Sequence, residues 1–163
     1  MLGTIASFTA DTGSSLSLIT ALVGGVAYIV GSGANSFTLN TATISIAKAT
    51  SGSGGVAYII GTSPSVSIVG SSTISTVSSI SNGGAFYIGG SALNSFTVTS
   101  SSIASCSTFG VGGLAYFGGT DNTISLTSAT ISQISASSDG GSFYLAGSNT
   151  NTISVTSSTL SSI

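Results

Sequence analysis

Residues 83–89 read GGAFYIG. The same phrase returns as GGVAYIV at 24–30, GGVAYII at 54–60, GGLAYFG at 112–118 and GGSFYLA at 140–146. All five tyrosines of the 163-residue chain (Tyr28, Tyr58, Tyr87, Tyr116 and Tyr144) stand third after a Gly-Gly pair, at spacings of 30, 29, 29 and 28 residues. A fixed period near 29 residues is the mark of stacked coils, each burying its apolar face against its neighbours.

Period-2 alternation assigns the faces of each coil. After Gly-Gly comes a strand whose Ala27/Ile29, Ala57/Ile59, Phe86/Ile88, Ala115/Phe117 and Phe143/Leu145 are apolar in every copy, which makes that face the core. Tyr then points outward, flanked on the same outer face by Val26/Val30, Val56/Ile60, Ala85/Gly89, Leu114/Gly118 and Ser142/Ala146. A second strand has Phe37/Leu39, Val66/Ile68, Phe96/Val98, Ile124/Leu126 and Ile153/Val155 inside. Outside it carries Thr38/Asn40, Ser67/Val69, Thr97/Thr99, Ser125/Thr127 and Ser154/Thr156, a hydroxyl surface. A third segment places Ile44, Ile74, Ile103, Ile131 and Leu160 in register, with Ala47, Val77, Cys106, Ile134 and Ile163 three residues later.

Three short strands per coil, rich in β-branched residues, predict an all-β chain: a single parallel β-helix (β-solenoid) of about 5–6 coils. It is expected to be right-handed, from the general bias of parallel crossovers. Five repeats begin at Gly24, Gly54, Gly83, Gly112 and Gly140, and residues 1–23 are expected to form a partial coil or N-terminal cap. The last coil, with no polar segment over it, is expected to leave an open end. In the turn before the second strand stand Asn35, Pro64, Asn94, Asn122 and Asn151. Four Asn in five equivalent turns predict a stacked amide ladder, broken at Pro64.

Composition narrows function. The chain has one cation, Lys48, three anions, Asp11, Asp121 and Asp139, and no His; 60 residues are Ser or Thr. So little positive charge argues against nucleic acid. A net charge of −2 leaves little repulsion between copies. Without His there is no Ser-His-Asp set, and the three Asp residues fall in different turns, so no catalytic, metal or cofactor site is expected. Cys106 aligns with Ala47, Val77 and Ile134, which predicts a buried thiol. The apolar run Leu16–Val30 contains the Gly-Gly phrase and reads as a strand entering the core, with no membrane span expected. No Asn heads an N-x-S/T sequon, whereas O-linked sugars on the hydroxyl faces are compatible with the sequence.

At GG-[VAL]-[AF]-Y-[IF], residues 24–163 resemble Ser/Thr-rich Gly-Gly-x-x-Tyr repeats of protist, especially ciliate-like, surface proteins. They also resemble the GGA[ILV]-type repeats of chlamydial polymorphic outer-membrane proteins, which pair the glycine motif with F-x-x-N where this chain has NSF or NTI. The resemblance implies a right-handed parallel β-helix and an extracellular or cell-surface role. Together these readings lead us to expect a non-enzymatic structural protein that assembles with copies of itself into a fibre or coat, by coil stacking or through its outward Tyr ladder. Two alternatives are an adhesin or carbohydrate-binding module, with glycans as partners, and an ice-binding protein. The candidate ice- or glycan-facing hydroxyls are those of Thr38, Thr97, Thr99, Ser125, Thr127, Ser154 and Thr156.

Overall fold

The computed structural model describes residues 2–3, 5–147 and 149–163. They form a β-solenoid of three parallel sheets with six strands each. The tyrosine sheet contains Leu2–Gly3, Ala27–Gly31, Ala57–Gly61, Phe86–Gly90, Ala115–Phe117 and Phe143–Leu145. The hydroxyl sheet contains Ser7–Ala10, Ser36–Asn40, Ser65–Val69, Ser95–Thr99, Thr123–Thr127 and Thr152–Thr156. The third sheet contains Ser15–Ala21, Thr43–Ala49, Thr73–Ser79, Ser102–Thr108, Thr130–Ala136 and Thr159–Ser161. Each strand pairs with its equivalent one coil away, so Tyr58 lies beside Tyr28 and Tyr87, and Phe96 beside Val66 and Ile124. Leu2–Gly3, Ser7–Ala10 and Ser15–Ala21 add one strand to each sheet, in the same order as the strands of the coils that follow.

Glycine makes the first corner. Gly24, Gly54, Gly83, Gly112 and Gly140 all have φ between 57° and 70°, a region that L side chains resist. The second glycine is needed for a different reason. A Cβ on Gly25, Gly55, Gly84 or Gly113 would fall on the carbonyl oxygen of Gly55, Gly84, Gly113 or Gly141, the same glycine one coil on. Backbone therefore packs on backbone along this edge.

The residue after Gly-Gly corrects the expected faces. Val56, Ala85 and Leu114 are fully buried and Ser142 is buried, while Val26 packs partly buried against the same core. The cause is a shared acceptor at the corner. Both Val56 N–H and Ala57 N–H donate to Ala85 O, at 2.8 and 3.1 Å, and both Ala85 N–H and Phe86 N–H donate to Leu114 O, at 3.0 and 2.9 Å. Two successive amides on one carbonyl turn two successive side chains inward, so alternation starts one residue later.

A left-handed residue also resets the third sheet. Leu18, Ile46, Thr76, Ser105 and Gln133 lie at φ of 55–57° in mid-strand, and Ser162, just past the last strand, is at 53°. This is why inward residues there are three apart, as in Ile74/Val77 and Ile103/Cys106. Thr76 is β-branched and exposed, so it carries the backbone cost with little burial in return. Thr76→Asn should stabilise the protein by about 1 kcal/mol. A denaturation midpoint that stays put or falls would show that the bend is not strained.

The core is a continuous apolar file, with phenylalanine contacts spanning coils. Phe37 and Phe86 meet edge-on at 5.7 Å, past the smaller Ala57 and Val66 of the coil between them. Phe96 meets Phe86 at 5.5 Å, Phe143 at 5.9 Å and Phe117 at 6.2 Å.

Candidate interaction faces

Parallel, in-register pairing forces the five tyrosines into one row. Their ring centres are 5.2, 4.6, 4.8 and 5.7 Å apart from Tyr28 to Tyr144, with planes within 13° of parallel. The rings turn their faces to each other, so what the inner rings offer to solvent is edges and hydroxyls. Two glycines make room beside the upper rings. A Cβ on Gly89 would stand 2.8 Å from Tyr87 Cε1, and one on Gly118 would stand 3.1 Å from Tyr116 Cε1. Val30 and Ile60 fill the equivalent positions in earlier coils. Alternation makes the outward direction of Tyr legible, whereas the stack follows from register.

Burial pushes the Tyr87 phenol up to about 12, with a smaller contribution from Tyr58 and Tyr116 on either side. Tyr58 is also raised, by burial first and then by Tyr28. The folded state therefore keeps protons that the unfolded chain releases near 10.0. Stability contributed by neutral Tyr87 is fully present below that value and is lost as pH climbs to about 12. Alkaline unfolding should follow tyrosinate absorbance over this window and become shallower in Tyr87→Phe. An identical pH profile in that variant would refute the assignment.

The asparagine column lies on the corner between the tyrosine and hydroxyl sheets. Asn35, Asn94 and Asn122 are fully buried and Asn151 is exposed. Asn94 Nδ2 donates to Asn122 Oδ1 at 2.7 Å, and Asn122 Nδ2 donates to Asn151 Oδ1 at 2.8 Å. Asn35 Oδ1 accepts from Ala6 N–H, one coil back, at 2.8 Å, and Asn151 Oδ1 accepts from Asn122 N–H at 3.3 Å. The residue one coil back from Asn94 is Pro64, which has neither an N–H nor a side-chain donor, and Asn94 Oδ1 is buried without a partner. Pro64→Asn should supply the missing donor and stabilise the protein by about 1–2 kcal/mol. Unchanged or lowered thermal stability would mean that the gap costs nothing.

The hydroxyl sheet presents Thr38, Thr97, Thr99, Ser125, Thr127, Ser154 and Thr156 outward, with Thr9 in the first coil on the same row as Thr38. A further column, Ser36, Ser65, Ser95, Thr123 and Thr152, faces out beside them. Counting outward residues only from the first inward residue of each strand leaves this column out. A third corner also escaped the sequence reading. Ser72 and Ser101 each accept an amide from the coil before, Ala42 N–H at 3.2 Å and Ser72 N–H at 3.1 Å. Serine is so common in this chain that nothing singled these two out.

The charged residues do not converge. Asp121 and Asp139 sit at different corners, and Asp121 Oδ1 accepts from Thr150 N–H at 3.2 Å. Lys48 lies in a third-sheet row with Ser78, Ser107 and Ser135, beside a cleft of ≈ 430 Å³ that Ile80 and Phe109 help to line. Burial pushes the Cys106 thiol up to about 12. No described helix is long and apolar enough to cross a membrane. The chain matches no family model, no curated protein and no solved structure.

Proposed function

We propose that this is a non-enzymatic structural protein of an extracellular fibre or surface coat, assembling with copies of itself. The observation that carries the reading is the tyrosine sheet. It bears a straight row of five phenols, and none of Asp11, Lys48, Asp121 or Asp139 lies in its strands. Aromatic rings with polar tips suit a contact surface, and a row without fixed charge can approach its own copy without repulsion. Coil stacking gives a second route. Ile153, Val155, Leu160 and Ile163 of the last coil are 40–54% exposed, and a further coil, of this chain or of another copy, would cover them. Heterologous contacts of that kind propagate into filaments. The extracellular setting rests on the resemblance to surface-protein repeats.

Negative-stain microscopy and sedimentation of dilute purified protein test this reading. Fibres or sheets are expected, with lateral association weakened when the five tyrosines are replaced by serine. A persistent monomer overturns it.

Stacking weighs against glycan binding through the inner rings, because their faces are already occupied. The hydroxyl sheet favours a second reading, ice binding, since its outward Ser and Thr repeat at strand spacing along the solenoid and at alternate residues across it. Asn40 and Val69 interrupt that array. Absence of thermal hysteresis and of ice-recrystallisation inhibition would remove it.

A further inference from the structure

We propose that the tyrosine row is an oxidative modification site, at which neighbouring phenols of one chain couple into a biaryl cross-link, Tyr87 with Tyr116 first. The inference goes beyond assembly and holds for a single molecule. Three observations carry it.

The rings are already paired. Tyr87 and Tyr116 stack at 4.8 Å, and Tyr58 and Tyr87 at 4.6 Å. A biaryl bond joins ring edges, so both rings must turn about Cβ–Cγ, a broad torsion with low barriers. A quarter-turn of each brings an ε carbon of one to face an ε carbon of the next, and bond formation then draws the two rings together.

The Tyr87–Tyr116 pair has the most room to turn. Gly89 and Gly118 leave the ε edges of both rings free of a neighbouring side chain on their own strands, whereas the strands of Tyr28 and Tyr58 carry Val30 and Ile60 at the equivalent positions.

Competing groups are few. The chain has no Trp and no His, one Met, and one Cys, which is fully buried. A one-electron oxidant reaching the surface therefore meets phenols first.

The step balances with a one-electron oxidant as co-reactant. Each of two tyrosines gives up one electron to the oxidant and its phenolic proton to water, leaving two phenoxyl radicals. Their ε carbons form the C–C bond. The hydrogen on each coupled carbon then moves to its ring oxygen and restores two phenols. In total two electrons and two protons leave, and the oxidant is reduced by two electrons.

The test uses the intact protein with a ruthenium tris-bipyridyl photo-oxidant and persulfate under visible light. The expected product runs as a single chain on a denaturing gel, is lighter by two hydrogens, and yields a peptide joining Tyr87 to Tyr116. Two variants, each retaining three tyrosines and five stacked rings, separate adjacency from number. Tyr58→Phe with Tyr116→Phe leaves no two tyrosines adjacent, whereas Tyr28→Phe with Tyr144→Phe leaves three in a row. Single-chain cross-linking should be roughly tenfold lower in the first, because only held neighbours react at high effective concentration. Equal yields in the two variants, links only between chains, or oxygen adducts without links would each overturn the proposal. Because the readout is a bond within one chain, it is independent of whether the protein forms fibres.

Discussion

Gly84→Ala should be among the most damaging single-methyl substitutions in this chain. The added Cβ would fall on the Gly113 carbonyl oxygen and stand 2.9 Å from Ser107 O, and neither atom is the end of a flexible side chain. Relief requires coils to part where Gly83 N–H bonds to Val111 O at 2.9 Å and Gly84 N–H bonds to Gly112 O at 3.0 Å. Strain at a backbone-packed position belongs to the short list of large effects, and a loss of about 4 kcal/mol is expected. Urea denaturation checks it, with Gly13→Asn as a control. Gly13 also has positive φ, at 82°, but its Cβ would meet nothing within 4 Å, and Asn tolerates that conformation. Equal midpoints for the two variants would show that backbone proximity is not what selects glycine at the corner.

Phe96→Ala should cost about 3–5 kcal/mol. Phe96 is fully buried and touches Phe86, Phe117 and Phe143, so its removal leaves a cavity that rigid strands on three sides cannot close. At this chain length the melting temperature should fall by about 10 °C or more. Because the contacts of Phe96 reach its own coil and the two that follow, the loss should be local. Hydrogen exchange should accelerate most around residues 86–145 and least around residues 15–49. Uniform acceleration would instead mean that the solenoid opens as one unit.

Much of this fold is legible in the sequence because register repeats one physical decision five times. Ala27/Ile29 alone would be ambiguous, but the same apolar pair recurring through Phe143/Leu145 is not. Asn94, Asn122 and Asn151 stand out for a similar reason, since they are few and share one offset. The misreadings lie where backbone geometry breaks alternation. Leu114 looks outward if counted from Tyr116, yet the shared acceptor after Gly113, Ser142 O, turns it into the core. The stacked orientation of the tyrosines, which decides what their surface can bind, depends on strand spacing and on the room left by Gly89 and Gly118. Ser72 and Ser101 were hidden in a background of similar residues.

The glycine, asparagine and tyrosine columns meet their own equivalents one coil away, and this sets how the protein can change in length. Duplicating a coil that carries all three residues, such as the one with Gly112, Tyr116 and Asn122, would lengthen all three columns together and keep their register. Adding one residue within a strand would turn every later side chain of that strand to the wrong face. Length in such a molecule is quantised, and copy number is the variable its architecture leaves open to evolution or to design.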